Sequence, residues 1–551
     1  MKKLITSFIF LNVFITSYAN PTTSIESFLN SYPSIEQIKI GLFQHKFTCQ
    51  ELINGYLNRI RLYNLTIFNN QAPLNAITQV NSQAILEAKQ LDIKLAKKQA
   101  SLGNLFCIPV VVKDNFDVAG LRSSSGSLAL LGTYPIADSK IIKNIKSQDG
   151  IILAKSSMDE VAAGLSGISS LSGRIGNAYN TSYSSSGSSG GSAVSIAAGF
   201  APLAIGTDNS GSVRIPAAFN GIYGLRPTYG LVSHEGIFPT GNLDGTAGPM
   251  ANNVIDLANL LTVMVNSKFD YSKNLHKNIL DGKHFAIIRS VSGKPLWNNM
   301  PKPIVTIYNT VKTNLQASGA IITTIDLPNY NLDRKYNMSG TIDDINLYLA
   351  NNISSMSDFN QFCNGNTRVF GSKAQCSRFL NSVRPKNSPE YKQVIKTINK
   401  NQVYILNIMK QQHIDGLILP SGKSGIASYD WSLIGDQSII ASNSGLPEIT
   451  LPAAQYKGLP VGLEIIGPKY SESALLNYAF AYQEHYYTFK PPHLSQDRQS
   501  NNWSINKLNM LYPLIGKTSF DLAIKPINKN NISPQQSISA TKKAIVLIKQ
   551  Q

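Results

Sequence analysis

Histidine is scarce in this chain, with seven residues in 551 and none between Lys113 and Tyr229. That gap spans the most conspicuous serine- and glycine-rich sequence, so no serine there has a nearby imidazole in the chain, the usual activator of a hydroxyl. Cysteine is rarer still, at positions 49, 107, 363 and 376 only, and no spacing resembles a zinc site. No metal or other cofactor is expected. Acidic residues number 32 against 50 lysines and arginines, a formal charge of +18. A basic balance can mean nucleic acid. Here the lysines are scattered, often beside asparagine, with no stripe interleaving aromatics, so nucleic acid is not expected as a partner. No apolar run is long enough to span a bilayer comfortably, so no transmembrane segment is expected. Nothing repeats, and nothing fixes an oligomeric state.

A hydrophobic content of 43% and a charged content of 15% describe an ordinary folded protein. The first residues differ. Lys2 and Lys3 precede the apolar stretch Leu4–Thr16, and Ser17-Tyr18-Ala19 ends on a small residue. Basic start, short apolar middle and small end read as a secretory signal over 1–19. Its removal takes two lysines and leaves +16 of the +18. Export to the periplasm or medium puts the cysteines in an oxidising compartment. Cys363 and Cys376 are close enough in sequence to bridge. Cys107, inside the apolar LFCIPVVV, reads as a buried thiol.

Helical spacing marks 34–63, where Ile38, Leu42, Leu52, Tyr56 and Ile60 recur every three to ten residues, and again Ser82–Lys98. Ile108–Val112 reads as a buried strand with Lys113 just past its end, where functional groups of open α/β sheets lie. Alternation continues: helix Lys140–Lys146, strand Gly150–Lys155, helix Met158–Leu165, helix Ala193–Ala198, strand Ala201–Ile205. Residues 270–415 look irregular and polar. Core strands return at Ile414–Pro420, 445–453 and 458–467, and a helix follows over Ser473–His485. The pattern implies an α/β fold, a mixed sheet covered by helices. From about 490 the tail is polar and basic, with one apolar stretch at 542–549.

Two loops carry chemistry. Ser184–Ser192 could be a flexible linker by composition, yet it lies between core-like segments and runs into SAVSIAAG. A glycine-rich loop at a helix N-terminus presents unpaired N–H groups. Gly187–Gly191 also fits a G-x-S-x-G elbow centred on Ser189. That elbow needs a downstream histidine, and His413, His485 and His493 sit in no convincing turn after a core strand. The second loop, Thr207–Ser212, could be a plain turn, or Ser212 could be a nucleophile with N–H groups of Asn209 to Ser212 lining an oxyanion pocket. Partial burial of Lys113 would lower its pKa and free it to act as a base.

These segments resemble the amidase-signature hydrolases. The resemblance rests on the apolar strand with Lys-Asp-Asn (113–115), Gly-Ser-Ser-Gly-Gly-Ser (187–192) and Gly-Thr-Asp…Gly-Ser…Arg…Pro-Ala (206–217), in family order. Seventy-five residues separate Lys113 from Ser188 and 24 separate Ser188 from Ser212, as in that family. Weaker echoes at 56–60, 74–77, 224–230, 243–251 and 458–467 extend it from about 34 to about 487. It implies an amidase-signature fold over 20–490, with 270–415 a variable lobe and 491–551 a basic polar extension outside it. It implies a large, central, mixed and twisted sheet with helices on both faces. Lys113 would be the base, Ser188 the bridging serine after a cis peptide, and Ser212 the acylated nucleophile. Asn209, Ser210 and Gly211 would bind the oxyanion, and Asp208 and Arg214 would be structural supports. Ser186 stands where many members of that family have glycine and Ser210 where glycine or alanine is common; both serines are small, so the departures bear on substrate preference more than on chemistry.

The implied activity is hydrolysis of a carboxylic amide on a small molecule or peptide, releasing ammonia or an amine. Residues 230–251 loosely resemble exported members that remove C-terminal peptide amides. An ester hydrolase, an inactive binding protein and an amidotransferase-type glutaminase component remain alternatives. Export argues against the glutaminase.

Overall fold

A computed structural model describes residues 21–494 except 66–72, 98–100, 240, 242, 299, 355, 366–372 and 428–435. The signal reading at 1–19 and the extension beyond 494 lie outside the described residues. Twelve strands make one sheet: β1 (Ile77–Val80), β2 (Pro109–Lys113), β3 (Ile151–Ser156), β4 (Leu203–Asp208), β5 (Tyr223–Arg226), β6 (Thr246–Ala251), β7 (His284–Val291), β8 (Lys294–Pro295), β9 (Ile321–Leu327), β10 (Gly416–Pro420), β11 (Glu448–Tyr456) and β12 (Leu459–Ile466). Their order is β1-β3-β2-β4-β6-β5-β11-β12-β10-β7-β8, with β9 beside β7. The pairs β2–β3, β2–β4, β10–β7 and β9–β7 are parallel and the rest antiparallel, so the sheet is mixed. Strands β2, β3 and β4 are buried along their whole length, as their continuous apolar sequences require of strands covered on both faces.

The helical stretch 34–63 is two helices, Ile35–Phe43 and Cys49–Tyr63. Ser34 and Thr48 each open a capping box, with Gln37 and Glu51 reaching back to the cap N–H, so the second start interrupts what spacing alone joins. Met158–Leu165 is not a helix: only a short 3-10 turn, Glu160–Ala162, forms there. The Asp159 side chain accepts N–H bonds from Ser166 and Gly167 and curls the chain back instead. The 270–415 span is more regular than its composition suggests, since it supplies β7, β8 and β9 and the 23-residue helix Pro389–Gln411.

Cys107 is a half-cystine and not a free thiol. It is bonded to Cys49, with 5.8 Å between their Cα atoms, inside the range a disulfide bridges. The apolar surroundings that suggested a thiol are those of the bridge itself, both cysteines being fully buried. Cys363 and Cys376 form the second disulfide. Among the described residues no helix is long and apolar enough to cross a membrane.

Candidate active site

Strands β2 and β4 are parallel neighbours, with Val112 opposite Ile205. Both end at the same edge, so Lys113 closes one strand beside the loop that leaves the other. Lys113 is fully buried, and its Nζ donates to Ser188 Oγ at 2.7 Å and to Thr207 Oγ1 at 2.7 Å. Asn115 Nδ2 donates to the same Thr207 hydroxyl at 3.2 Å. Burial pulls the Lys113 ammonium down to about 7, against the Asp159 and Asp208 carboxylates, which favour its charged form. An amine that is neutral at this place has its nitrogen 2.7 Å from the Ser188 hydroxyl, within reach of its proton.

Ser188 is also fully buried and follows a cis peptide from Gly187. Gly187 is needed here, because a Cβ at that position would collide with Asp159 Oδ1. Burial lifts the Asp159 carboxyl to about 6, against the N–H groups of Ser166 and Gly167 that stabilise its charge. Ser186 adopts a left-handed φ of 61°, a conformation that glycine takes at less cost. The next residues, Gly190–Ala197, form the expected helix.

Ser212 is 3% exposed. Among the described residues no hydrogen bond joins its hydroxyl to that of Ser188. The two loops are tied through the backbone, Ser189 N–H donating to Ser212 O at 3.1 Å. Ser189 is no elbow nucleophile: its hydroxyl donates to Thr207 O at 3.1 Å and accepts from Thr207 N–H at 3.2 Å. His485 instead contacts the Lys277 carbonyl, and His413 and His493 are exposed.

Asp208 shapes the second loop. It accepts from Gly211 N–H at 2.8 Å, Val213 N–H at 3.1 Å and Arg214 Nε at 3.0 Å. Burial alone would raise this carboxyl, but Arg214 and Arg226 overcome it and hold it well below the usual carboxylate range. Gly211, at φ 108°, lets the chain turn, and its N–H is committed to Asp208. Among the described residues the Ser210 and Ser212 N–H groups make no hydrogen bond. Arg214 also pairs with Glu448, and with Glu464 at 3.0 Å, linking the loop to β11 and β12.

Sequence reasoning missed Asp159, Thr207, Asn115, Glu448 and Glu464. Asp159 had one readable signal, a carboxylate just past the end of β3 at the same sheet edge as Lys113. The glutamates had none, because their partner lies more than 230 positions away.

A buried amine of lowered pKa, touching a serine beside a second serine loop, is the equipment of an acyl-transfer hydrolase. The chain belongs to the amidase family, whose model matches residues 51–476, and it is an amide-hydrolysing enzyme of the amidase-signature kind. It is 30% identical over 483 residues to a component of the glutamyl-tRNA(Gln) amidotransferase of Clostridium botulinum, covering 81% of this chain and 96% of that protein. The peptide amidase of Stenotrophomonas maltophilia superposes with a TM-score of 0.72 at 26% identity, over 84% of this chain and all of that one. An amidase family protein of Bacillus anthracis superposes at 0.75 with 27% identity, over 87% and 96%.

Proposed function

We propose that this protein is an exported amidase working through Lys113, Ser188 and Ser212. The observation that carries the reading is the Lys113 amine, wholly buried and 2.7 Å from Ser188 Oγ. Neutral Lys113 takes the proton of Ser188, and Ser188 takes that of Ser212. Ser212 Oγ bonds to the amide carbon, and the carbonyl oxygen becomes an oxyanion facing the Ser210 and Ser212 N–H groups. The relay then returns its proton to the nitrogen, the C–N bond breaks, and ammonia or an amine leaves an acyl ester on Ser212. Water, deprotonated by the same relay, releases the carboxylate and restores the serine.

The likeness to the peptide amidase supports a peptide amide as substrate. The likeness to the amidotransferase component favours a second reading, a glutaminase. Two disulfides and the signal-like 1–19 weigh against that, since disulfides persist in oxidising compartments. Three measurements test this reading. A panel of peptide amides, fatty amides, anilides and glutamine on the mature protein identifies the substrate, and activity on glutamine alone overturns the proposal. A fluorophosphonate probe should label Ser212. Fractionation of expressing cells should find the protein outside the cytoplasm, cleaved near residue 19.

A further inference from the structure

Arg334 lies between β9 and the helix Thr341–Ala350, inside the span expected to vary. It nevertheless reaches the second serine loop. Its Nη1 donates to Asn209 O at 3.1 Å and to Ser442 Oγ at 3.2 Å, and its Nη2 pairs with the Asp244 carboxylate. Asp244 is 1% exposed and also accepts from Asn337 Nδ2 at 2.8 Å. The Asp244 backbone carbonyl accepts from Arg226, whose other nitrogen donates to Asp208 O. Two successive peptide oxygens of the loop are thus each held by a guanidinium, and Asp244 bridges the two arginines.

A trans peptide is planar, with its C=O and N–H pointing in opposite directions. Fixing the oxygen of Asn209 therefore fixes where the Ser210 N–H points. A charged donor on that oxygen also polarises the peptide and strengthens its N–H as a donor. We infer that Arg334 is a positioning residue for this reaction, aiming the Ser210 N–H at the oxyanion from outside the site. The inference rests on the Ser212 reading above.

The experiment uses the mature chain with Arg334→Met, Arg334→Lys and the double variant Arg334→Met/Asp244→Asn, which removes the carboxylate the single change would orphan. Deleting an oxyanion donor outright costs about 10²–10³-fold in kcat, so misaiming one is expected to cost about 10- to 100-fold. The loss should fall on kcat with KM within about twofold, as for an interaction made in the transition state. Fluorophosphonate labelling of Ser212 should slow in parallel. Arg334→Lys should recover part of the rate, because one donor can still reach the carbonyl. The double variant should regain thermal stability and remain slow, and the acidic limb of the pH profile should stay in place, because Lys113 is untouched. Wild-type rates in Arg334→Met, a loss confined to KM, or recovery of rate with stability in the double variant overturns the Arg334 role alone. Failure of the wild type to label at Ser212 overturns the nucleophile assignment and this inference together.

Discussion

Replacing Ser212 by alanine removes the oxygen that would carry the acyl group, and replacing Lys113 by alanine removes the amine that touches Ser188. Either change is expected to lower kcat by at least about a thousandfold, as for members of a catalytic unit, with the far-ultraviolet dichroism unchanged. Steady-state hydrolysis of the preferred amide checks both. In the proposed relay the neutral amine is the active form, so kcat/KM should rise as pH rises through about 7, where burial has placed Lys113. A profile flat from pH 5 to 9 would exclude Lys113 as the base. Lys113, Ser188 and Ser212 were legible as candidates because each sits in a short motif of unusual composition. Thr207, which accepts from both Lys113 and Asn115, was not legible as a partner, because a threonine ending a strand is ordinary until the neighbouring strand is known.

The tract around Ser188 is an element whose shape is imposed by its neighbours. Gly187→Ala would drive a methyl group into the Asp159 carboxylate. It is expected to cost activity more than Ser186→Gly, which keeps a left-handed position in a residue suited to it. Comparative turnover of the two variants, with thermal melts of each, checks the order, and equal turnover would sink it. Six strands, β2, β3, β4, β10, β11 and β12, and the helices within 35–63, 84–96, 140–147, 190–197 and 472–486 were readable from apolar periodicity. The sequence Met158–Leu165 was not, because periodicity counts side chains and cannot see Asp159 drawing two N–H groups into a turn. The break between the first two helices was similarly hidden in Thr48 and Glu51, a cap signature lying within an otherwise continuous spacing.

Across the whole molecule, Arg214 joins the Thr207–Ser212 loop to β11 and β12 through Asp208, Glu448 and Glu464, all fully or almost fully buried. Arg214→Met would strand these carboxylates, and breaking a buried pair in this way costs about 3–5 kcal/mol. Urea unfolding should show that loss, and an unchanged midpoint would mean the cluster carries no stability. The fold class was legible from strand and helix alternation. The placing of β7, β8 and β9 within the same sheet was not, because polar exposed positions on an edge strand such as β9 erase the apolar signal. The backbone bond from Ser189 to Ser212 has a different kind of permanence. It involves no side chain, so an exchange that fits the buried space at 189 leaves it standing, whereas proline, lacking the amide hydrogen, would cut it. The spacing of the two serine loops is thus inherited with the chain's path, leaving sequence drift free to remodel the surrounding side chains without moving one loop against the other.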